Sequence, residues 1–538
     1  MNELEQIIDE YELLSGGTEL PTGIQDRIDA LPVEDSPLLG VAKGGETQVY
    51  LRSLIFVGPV LLGMARDNEH SYLFAAADSG ATGTAVAEHL GELRLGHQTT
   101  AGGMWLATGE RSSENARGLH QLLPWTRPRS LREERTTIGM GDRLGIATPG
   151  HIRAARRYAI SPVLAQQSVR ENDFIGRDYE DVVANATWGV FQEGFRDGYG
   201  ADGDHLKTIP AIDTALDAAM PMITLDLTEV MRPEVADWTD GEVEAQFNEL
   251  DGTFRNRVST EYAGKTFTLA GDAGITVSLT LSPEDARRCA VMYGPALAFS
   301  REVNDHLDQA TGGAYDLEIS IDETTTPTIP EHHLFIAREL QHRGVLVNSL
   351  APRFIGEFQK AIDYIGDVQE FSEQFRVHCL IARNFGGYKV SVHSGSDKFA
   401  VYPVVGKETA MRLHLKTSGT SWLEALRTIA IHEPEFYRRV HTFAVNYYPT
   451  ALTHYHITAD FDAIPALDSL SDEELPGYLE NPHARQMLHI SYGGILQDKH
   501  LGPELYRVLH RREEEYARQL LVHFNRHIGG LGAQKRWN

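Results

Sequence analysis

Cysteine is almost missing from this sequence. Cys289 and Cys379 are the two it contains, far apart and in apolar surroundings. That excludes a disulfide framework and leaves no set of thiolates for a metal. Positive charge is also scarce: 49 lysines and arginines stand against 76 aspartates and glutamates, a net charge of −27. A field of that sign repels phosphate backbones and anionic lipid, so neither nucleic acid nor a membrane is an expected partner. Long apolar runs are absent. The most apolar stretch, Leu54–Ala65, is too short to span a bilayer and is broken by Pro59. The opening residues, Met1 to Glu5, are acidic, the reverse of a secretory leader, and the expected location is the cytoplasm. The phosphate-binding loop of nucleotide hydrolases and the serine elbow of hydrolases are both missing.

What is present is an ordinary globular composition, 42% hydrophobic and 23% charged, over 538 residues. That length exceeds what one core usually supports, so a large domain with additions is expected. Residues 1–135 read as an N-terminal α/β module. It opens with an acidic amphipathic helix (Leu4, Ile7, Ile8, Tyr11, Leu13, Leu14), followed by strand-like runs at Val49–Leu51, Ser53–Val57 and Tyr72–Ala75. Trp125–Arg135, with one proline, a second just before it, and several arginines, reads as its linker.

From Thr136 a rhythm begins of short apolar runs, each ending in polar residues and followed by a helix-like pattern. The runs are Leu144–Ala147, Pro162–Ala165, an irregular one at Ala201–Leu206, Met222–Leu225, Tyr315–Ile319, Val345–Leu350, Tyr388–Val392 and Met411–Leu415. Strands alternating with helices imply a parallel sheet, and eight of them predict a (β/α)8 TIM-type barrel over residues 136–430. The acidic stretch Thr228–Glu249 reads as an insertion after the fourth strand. Residues 431–538 read as a mainly helical C-terminal extension, with strand-like pieces at His454–Thr458 and Leu488–Tyr492.

Barrel enzymes carry their chemistry at the C-terminal ends of the strands. Here those ends supply Asp142, His151, Gln166, Gln167, Asp202, Asp204, His205, Lys207, Asp226, Glu318, Asp322, Glu323, Asn348, Ser349, Arg353, His393, Asp397, Lys398, Lys416 and Ser418. Any one of these is more often a cap than a functional group; seven or eight polar strand ends together point to a site. His205 and His393 are nitrogen donors able to face each other across a barrel mouth. With Glu318 and one more histidine or carboxylate they would complete a divalent-metal site of mixed nitrogen and oxygen type. Asp204 adjoins His205, so regular alternation would point one of the two elsewhere unless the strand is irregular. Glu318, between Leu317 and Ile319, reads as an inward, desolvated carboxyl of raised pKa, suited to a general acid. The glycine-rich segment Gly139–Gly145 only loosely imitates a dinucleotide loop, since charged residues precede it and no buried strand does.

These segments resemble the tagaturonate epimerase family. The resemblance rests on Gly141–Gly150, Ala165–Glu171, Trp188–Gly194, Gly200–His205, Glu318–Thr324, Arg353–Glu357, Val392–Phe399, Lys416–Thr420, Tyr455–Asp460 and Leu488–Tyr492. It covers roughly residues 138–500, in order; the N-terminal module and the segment after Asp226 depart from the pattern. The resemblance implies a metal-dependent barrel enzyme interconverting tagaturonate and fructuronate. It implies Asp204 as proton acceptor, Glu318 as proton donor, and His205 and His393 as ligands of one divalent cation (Zn, Mn, Ni, Co or Fe). For the third ligand His333 is the first choice and Glu357 the second.

The two sugar acids are 5-keto hexuronates that differ at C3, two bonds from the ketone. The C–H there is not acidic, because its carbanion would not conjugate with the carbonyl. Two routes remain, transient oxidation by a bound nicotinamide and retro-aldol cleavage with rotation of the aldehyde and re-addition; without a credible dinucleotide motif the second is expected, a cation on the ketone and neighbouring hydroxyl stabilising the enediolate. Gln167, Lys207, Arg353, Lys398 and Lys416 are the candidates for binding substrate, the cations through its carboxylate. Alternatives on the same residues are a metal-dependent aldolase or aldose–ketose isomerase acting on a sugar acid, a nicotinamide oxidoreductase using the Gly139 loop, and a non-catalytic sugar-acid sensor. A homo-oligomer is the one expected protein assembly.

Overall fold

A computed structural model of the chain describes residues 3–536 apart from 43, 79–88, 102, 323, 325, 418 and 456. Two residues expected at strand ends, Glu323 and Ser418, lie outside the described residues. Among the described residues, eight parallel strands close into a barrel: β1 (Thr136–Met140), β2 (Ser161–Ser168), β3 (Gly200–Leu206), β4 (Met222–Asp226), β5 (Asp316–Ile321), β6 (Val347–Pro352), β7 (Lys389–Val392) and β8 (Leu413–Thr417). Each neighbour pair is parallel, and β8 closes on β1 with Leu413 beside Thr136 and Thr417 beside Met140.

The expected first strand is corrected by this closure. Leu144–Ala147 is not a strand. The Asp142 carboxylate accepts the backbone N–H groups of Leu144, Gly145 and Ala147 (3.1, 2.7 and 2.7 Å) and folds the segment into a tight turn, with Gly145 at φ +74°. The chain then enters the helix Thr148–Arg156. The strand lies one segment earlier, in the stretch taken for an imitation of a dinucleotide loop; Gly139 belongs to it and leaves room for the Gln166 side chain. The two late strand-like pieces are also overturned. Among the described residues of 454–458 no strand forms, and Leu488 sits in the helix Pro482–Ile490, whose first turn is capped by the Asn481 side chain.

The N-terminal module is built on an antiparallel sheet, not on parallel βαβ units. Its described strands are Leu38–Gly40, Gln48–Tyr50, Ile55–Val57, Val60–Arg66, Ser71–Asp78, His97–Ala101 and Met104–Gly109. One face buries Leu4, Ile7 and Ile8 of the helix Glu3–Glu10; the other packs on Trp188 and Phe191 of the barrel helix Tyr179–Gln192. Two covered faces explain why Val60–Ala65 is apolar without alternation. Glu513, at the start of the C-terminal helix Glu513–Gly530, ties the module to the barrel by receiving Arg66, Tyr50 and Gln192, each at 2.7 Å.

The Trp125–Arg135 linker is a plug. Leu131 is buried with Val163 and Met222, its N–H held by Asp316 and its carbonyl by Lys389. These are the entry ends of the strands, so the linker seals the barrel floor away from the site. The insertion after β4 is larger than the acidic stretch suggested. It runs through a hairpin (Lys265–Ala270 with Thr276–Leu281) to the long helix Pro283–Thr311. No helix among the described residues is long and apolar enough to cross a membrane.

The C-terminal extension packs the helix Glu513–Gly530 on Thr148–Arg156, and Leu531 closes over the helix Tyr402–Glu408. A methyl group at Gly406 would collide with the backbone oxygen of Leu531. Gly406→Ala is therefore expected to lower stability by about 1–3 kcal/mol, read as a lower melting temperature. An unchanged melt would show that the C-terminal segment yields at no cost.

Candidate functional site

A cavity of about 810 Å³ opens at the C-terminal ends of the barrel strands. Asp204, His205 and Lys207 line it from β3 and its exit, Asp226 from β4, and Asp322 from beyond β5. Arg353 follows β6, His393 follows β7, and Lys416 lies on β8. Asp204 and His205 both reach the cavity because β3 is irregular. Its pairing with β4 shifts register between Gly203 and Leu206, and His205 takes a left-handed φ of +58°. Such a backbone costs energy for a residue with a side chain and is held only where the surroundings fix it.

His205 and His393 meet edge to face, ring centroids 5.2 Å apart. Asp322 completes a triad whose ligating atoms all lie within 4.8 Å of one another. The His393 Nδ1 stands 3.1 Å from Asp322 Oδ1, and the His205 Nδ1 stands 3.6 Å from Asp226 Oδ2. None of His205 Nδ1, His393 Nδ1 or Asp226 Oδ2 makes a hydrogen bond among the described residues, although all three atoms are buried. Converging, unsatisfied nitrogen and carboxylate lone pairs are the donor set a divalent cation of the zinc, manganese or iron kind takes. Burial lowers the His393 pKa, yet Asp322 and Glu318 together outweigh it, which marks this spot as one that calls for positive charge. Asp322, half-buried, is held ionised chiefly by His393.

Below the triad the barrel interior is polar and shut off from the protein surface. Asp202, Thr224, Glu318 and Ser349 are fully buried on β3, β4, β5 and β6. Glu318 accepts from Ser349 (2.6 Å), and its other oxygen lies 2.7 Å from His393 Nε2 and 3.0 Å from Lys416 Nζ. The expectation of a raised pKa is reversed. Burial does push the carboxyl up, but the Lys416 ammonium and His393 bring it well below the usual range. Asp204 is lowered in the same way by Lys416 and His205, against burial. Asp202, deeper and further from those imidazoles, is raised, burial outweighing Lys416.

The other expected residues divide. Arg353 lines the cavity half-buried. Its backbone is pinned to Thr328 in both directions, while its guanidinium has no hydrogen bond or ion pair among the described residues. Lys207 sits at the rim against Glu229 (3.0 Å) and Asp226 (3.6 Å). Lys398 is not brought to the cavity: it is fully buried and donates to the carbonyls of Gln359, Ile362 and Ser396. Gln167 is buried on the far face of β2, and its neighbour Gln166 lines the cavity instead. His333 does not join the triad. It lies in the helix Pro330–His342, its ring nitrogens against His378 Nδ1 (2.9 Å) and the Tyr388 hydroxyl (2.7 Å). Glu357 lines the cavity wall.

Sequence reading named Asp322 and the strand-end Ser349 without a role, and gave none to Thr224, buried beneath the cavity, or to Arg170, Glu171, Lys360 and Tyr455, which line its far wall. Glu171 is fixed by the buried Arg143 (2.6 Å), which also lies over the Tyr492 ring at 3.9 Å. The quoted strings around residues 143, 171 and 492 are thus one supporting wall. A second group, Asp397, His523 and His527, is close enough to bind a cation. Its nitrogens are already spent: His527 accepts the Asp397 N–H and donates to the His523 carbonyl, and His523 pairs with Thr420. Asp397 is in turn paired with Arg485.

Comparison with known proteins covers nearly the whole chain. The profile of the tagaturonate epimerase family matches residues 50–531, so the match begins inside the N-terminal sheet rather than near residue 138. A tagaturonate/fructuronate epimerase of Thermotoga maritima is 39% identical over 420 residues, 78% of this chain and 85% of that protein. The crystal structure of fructuronate-tagaturonate epimerase UxaE from Cohnella laeviribosi with one glycerol is 40% identical. It superposes with a TM-score of 0.84 over 95% of this chain and 99% of its own. The native crystal structure of that enzyme is 41% identical, with a TM-score of 0.84 over 92% and 98%.

Proposed function

The chain belongs to the tagaturonate epimerase family and is an isomerase-class carbohydrate epimerase, and we propose that it interconverts D-tagaturonate and D-fructuronate in the barrel-mouth cavity. The observation that carries this reading is the convergence of His205, Asp322 and His393 directly above the paired carboxylates Asp204 and Glu318. His205, Asp322 and His393 would hold one divalent cation, Asp322 taking the place first given to His333. When bound, the cation supplies polarisation of the ketone and its neighbouring hydroxyl.

The protein's own groups do the rest. Arg353, with no other partner among the described residues, holds the substrate carboxylate. Asp204, ionised at the cavity floor, takes the C3 hydroxyl proton as the C3–C4 bond breaks and C3 becomes an aldehyde. Glu318, ionised at rest on the other side of the Lys416 ammonium, takes over the proton that Asp204 accepted and returns it to the oxygen once the aldehyde has turned over. Gln166, Phe174 and Tyr455 enclose the fragments between the two steps.

The test is turnover of D-fructuronate in D2O, followed by NMR. D-Tagaturonate is expected, with no deuterium at C3, because that carbon keeps its hydrogen through cleavage and re-addition. Deuterium entering C3 at the rate of turnover would replace this route by direct proton abstraction. Failure to form tagaturonate at all would reject the function itself.

A further inference from the structure

Lys416 was expected to bind the substrate's carboxylate, and its surroundings give it a different task. It leaves β8, opposite β4 in the ring of strands, and crosses the barrel interior. Its ammonium donates to Asp204 Oδ1 (2.7 Å) and Thr224 Oγ1 and lies 2.8 Å from Asp202 Oδ2 and 3.0 Å from Glu318 Oε1. An ammonium has three protons to give, and the protein already offers four acceptors for them. A substrate carboxylate arriving there would be a fourth anion beside three.

The acceptors are not equivalent. Asp204 lines the cavity; Asp202 does not, is fully buried, and accepts the Thr224 hydroxyl at 2.9 Å. Asp202 and Thr224 therefore anchor the ammonium from behind; in front it holds Asp204 at the cavity and, buried just beneath, Glu318, which reaches the cavity-lining His393 at 2.7 Å. Burying three carboxylates with one lysine is a poor way to stabilise a barrel core, where apolar side chains of similar volume do as well or better. The cluster's value lies in where it places its members.

We propose that Lys416, anchored by Asp202 and Thr224, is a positioning residue that fixes the separation of Asp204 and Glu318 and makes no contact with the substrate carboxylate. The proposal rests on the epimerase reading given above and assigns a role within it. Lys416→Met is expected to lower kcat by about a hundredfold, the usual consequence of misplacing a reacting group by an ångström. The dissociation constant for D-fructuronate, measured by calorimetry, should stay within about threefold, whereas Arg353→Met should weaken it by ten times or more. Tenfold weaker binding in Lys416→Met would overturn the proposal and return Lys416 to the substrate.

Asp202→Asn keeps the shape of the cluster and carries the test if Lys416→Met does not fold. It should reduce kcat about tenfold at unchanged affinity; full activity would overturn the role of the anchor. A crystal structure of Lys416→Met gives a readout independent of turnover. Displaced Asp204 and Glu318 side chains support the proposal, and unmoved ones reject it. Wild-type protein that neither binds nor converts D-fructuronate is a separate result, against the function and not against the cluster.

Discussion

His205→Ala combined with His393→Ala is expected to abolish retention of a divalent cation and to reduce turnover by more than about a thousandfold, the loss of several kcal/mol of transition-state stabilisation. Two of three converging donors disappear, and Asp322 alone, partly exposed at the rim of the triad, cannot keep an ion against water. The fold should survive, because neither ring is part of the apolar core and the barrel closes through backbone pairing that the side chains do not touch. The measurement is elemental analysis of the purified variant beside activity and a thermal melt. Asp322→Ala should weaken retention in the same sense, and His333→Ala should leave the metal in place. Full metal occupancy in the double variant would remove the triad from the site. Metal lost from His333→Ala but kept in Asp322→Ala would restore His333 as the third donor.

Glu318→Gln is the second large effect. The amide is isosteric, and Ser349 can still donate to its oxygen, so packing should hold. It cannot accept the charge-assisted contacts from Lys416 and His393, and it cannot carry a proton to substrate. A loss in kcat of roughly a hundred- to ten-thousandfold is expected, with metal retained. Asp204→Asn should behave alike, since Asp204 is the other end of the same bridge. A Glu318→Gln variant within about threefold of the parent would leave Glu318 as a structural member of the barrel floor.

Much of this was legible in one dimension. Short apolar runs punctuated by polar ends located seven of the eight strands to within a few residues, because a buried parallel strand has to be apolar wherever it faces the helices. The rhythm failed at the first strand for a local reason. Thr136–Met140 is short and glycine-containing, while Leu144–Ala147 looks apolar but is turned by three hydrogen bonds to Asp142 that composition does not reveal. The pairs Asp204–His205 and His393–Ser394 could be picked out as chemistry-bearing strand ends. That both Asp204 and His205 point inward could not, since it depends on the bulge in β3.

What the sequence by itself determined is the class: strand and helix alternation gives the barrel, the barrel gives the mouth, and residue types at the strand ends give nitrogen and carboxylate donors there. Tertiary structure alone decided which of them act together. His333 and Asp322 lie eleven positions apart by numbering, yet the first sits in the helix Pro330–His342, spent on Tyr388, and the second just past β5, facing His393. Protonation was likewise undecided until the far side of the barrel was in place. Burial alone argues for a neutral Glu318, and the ammonium arriving from Lys416, ninety-eight residues away along the chain, together with His393 makes it an anion. The local sequence sets a side chain's intrinsic chemistry; the Coulomb field that tunes it comes from residues brought close by the closure of the sheet.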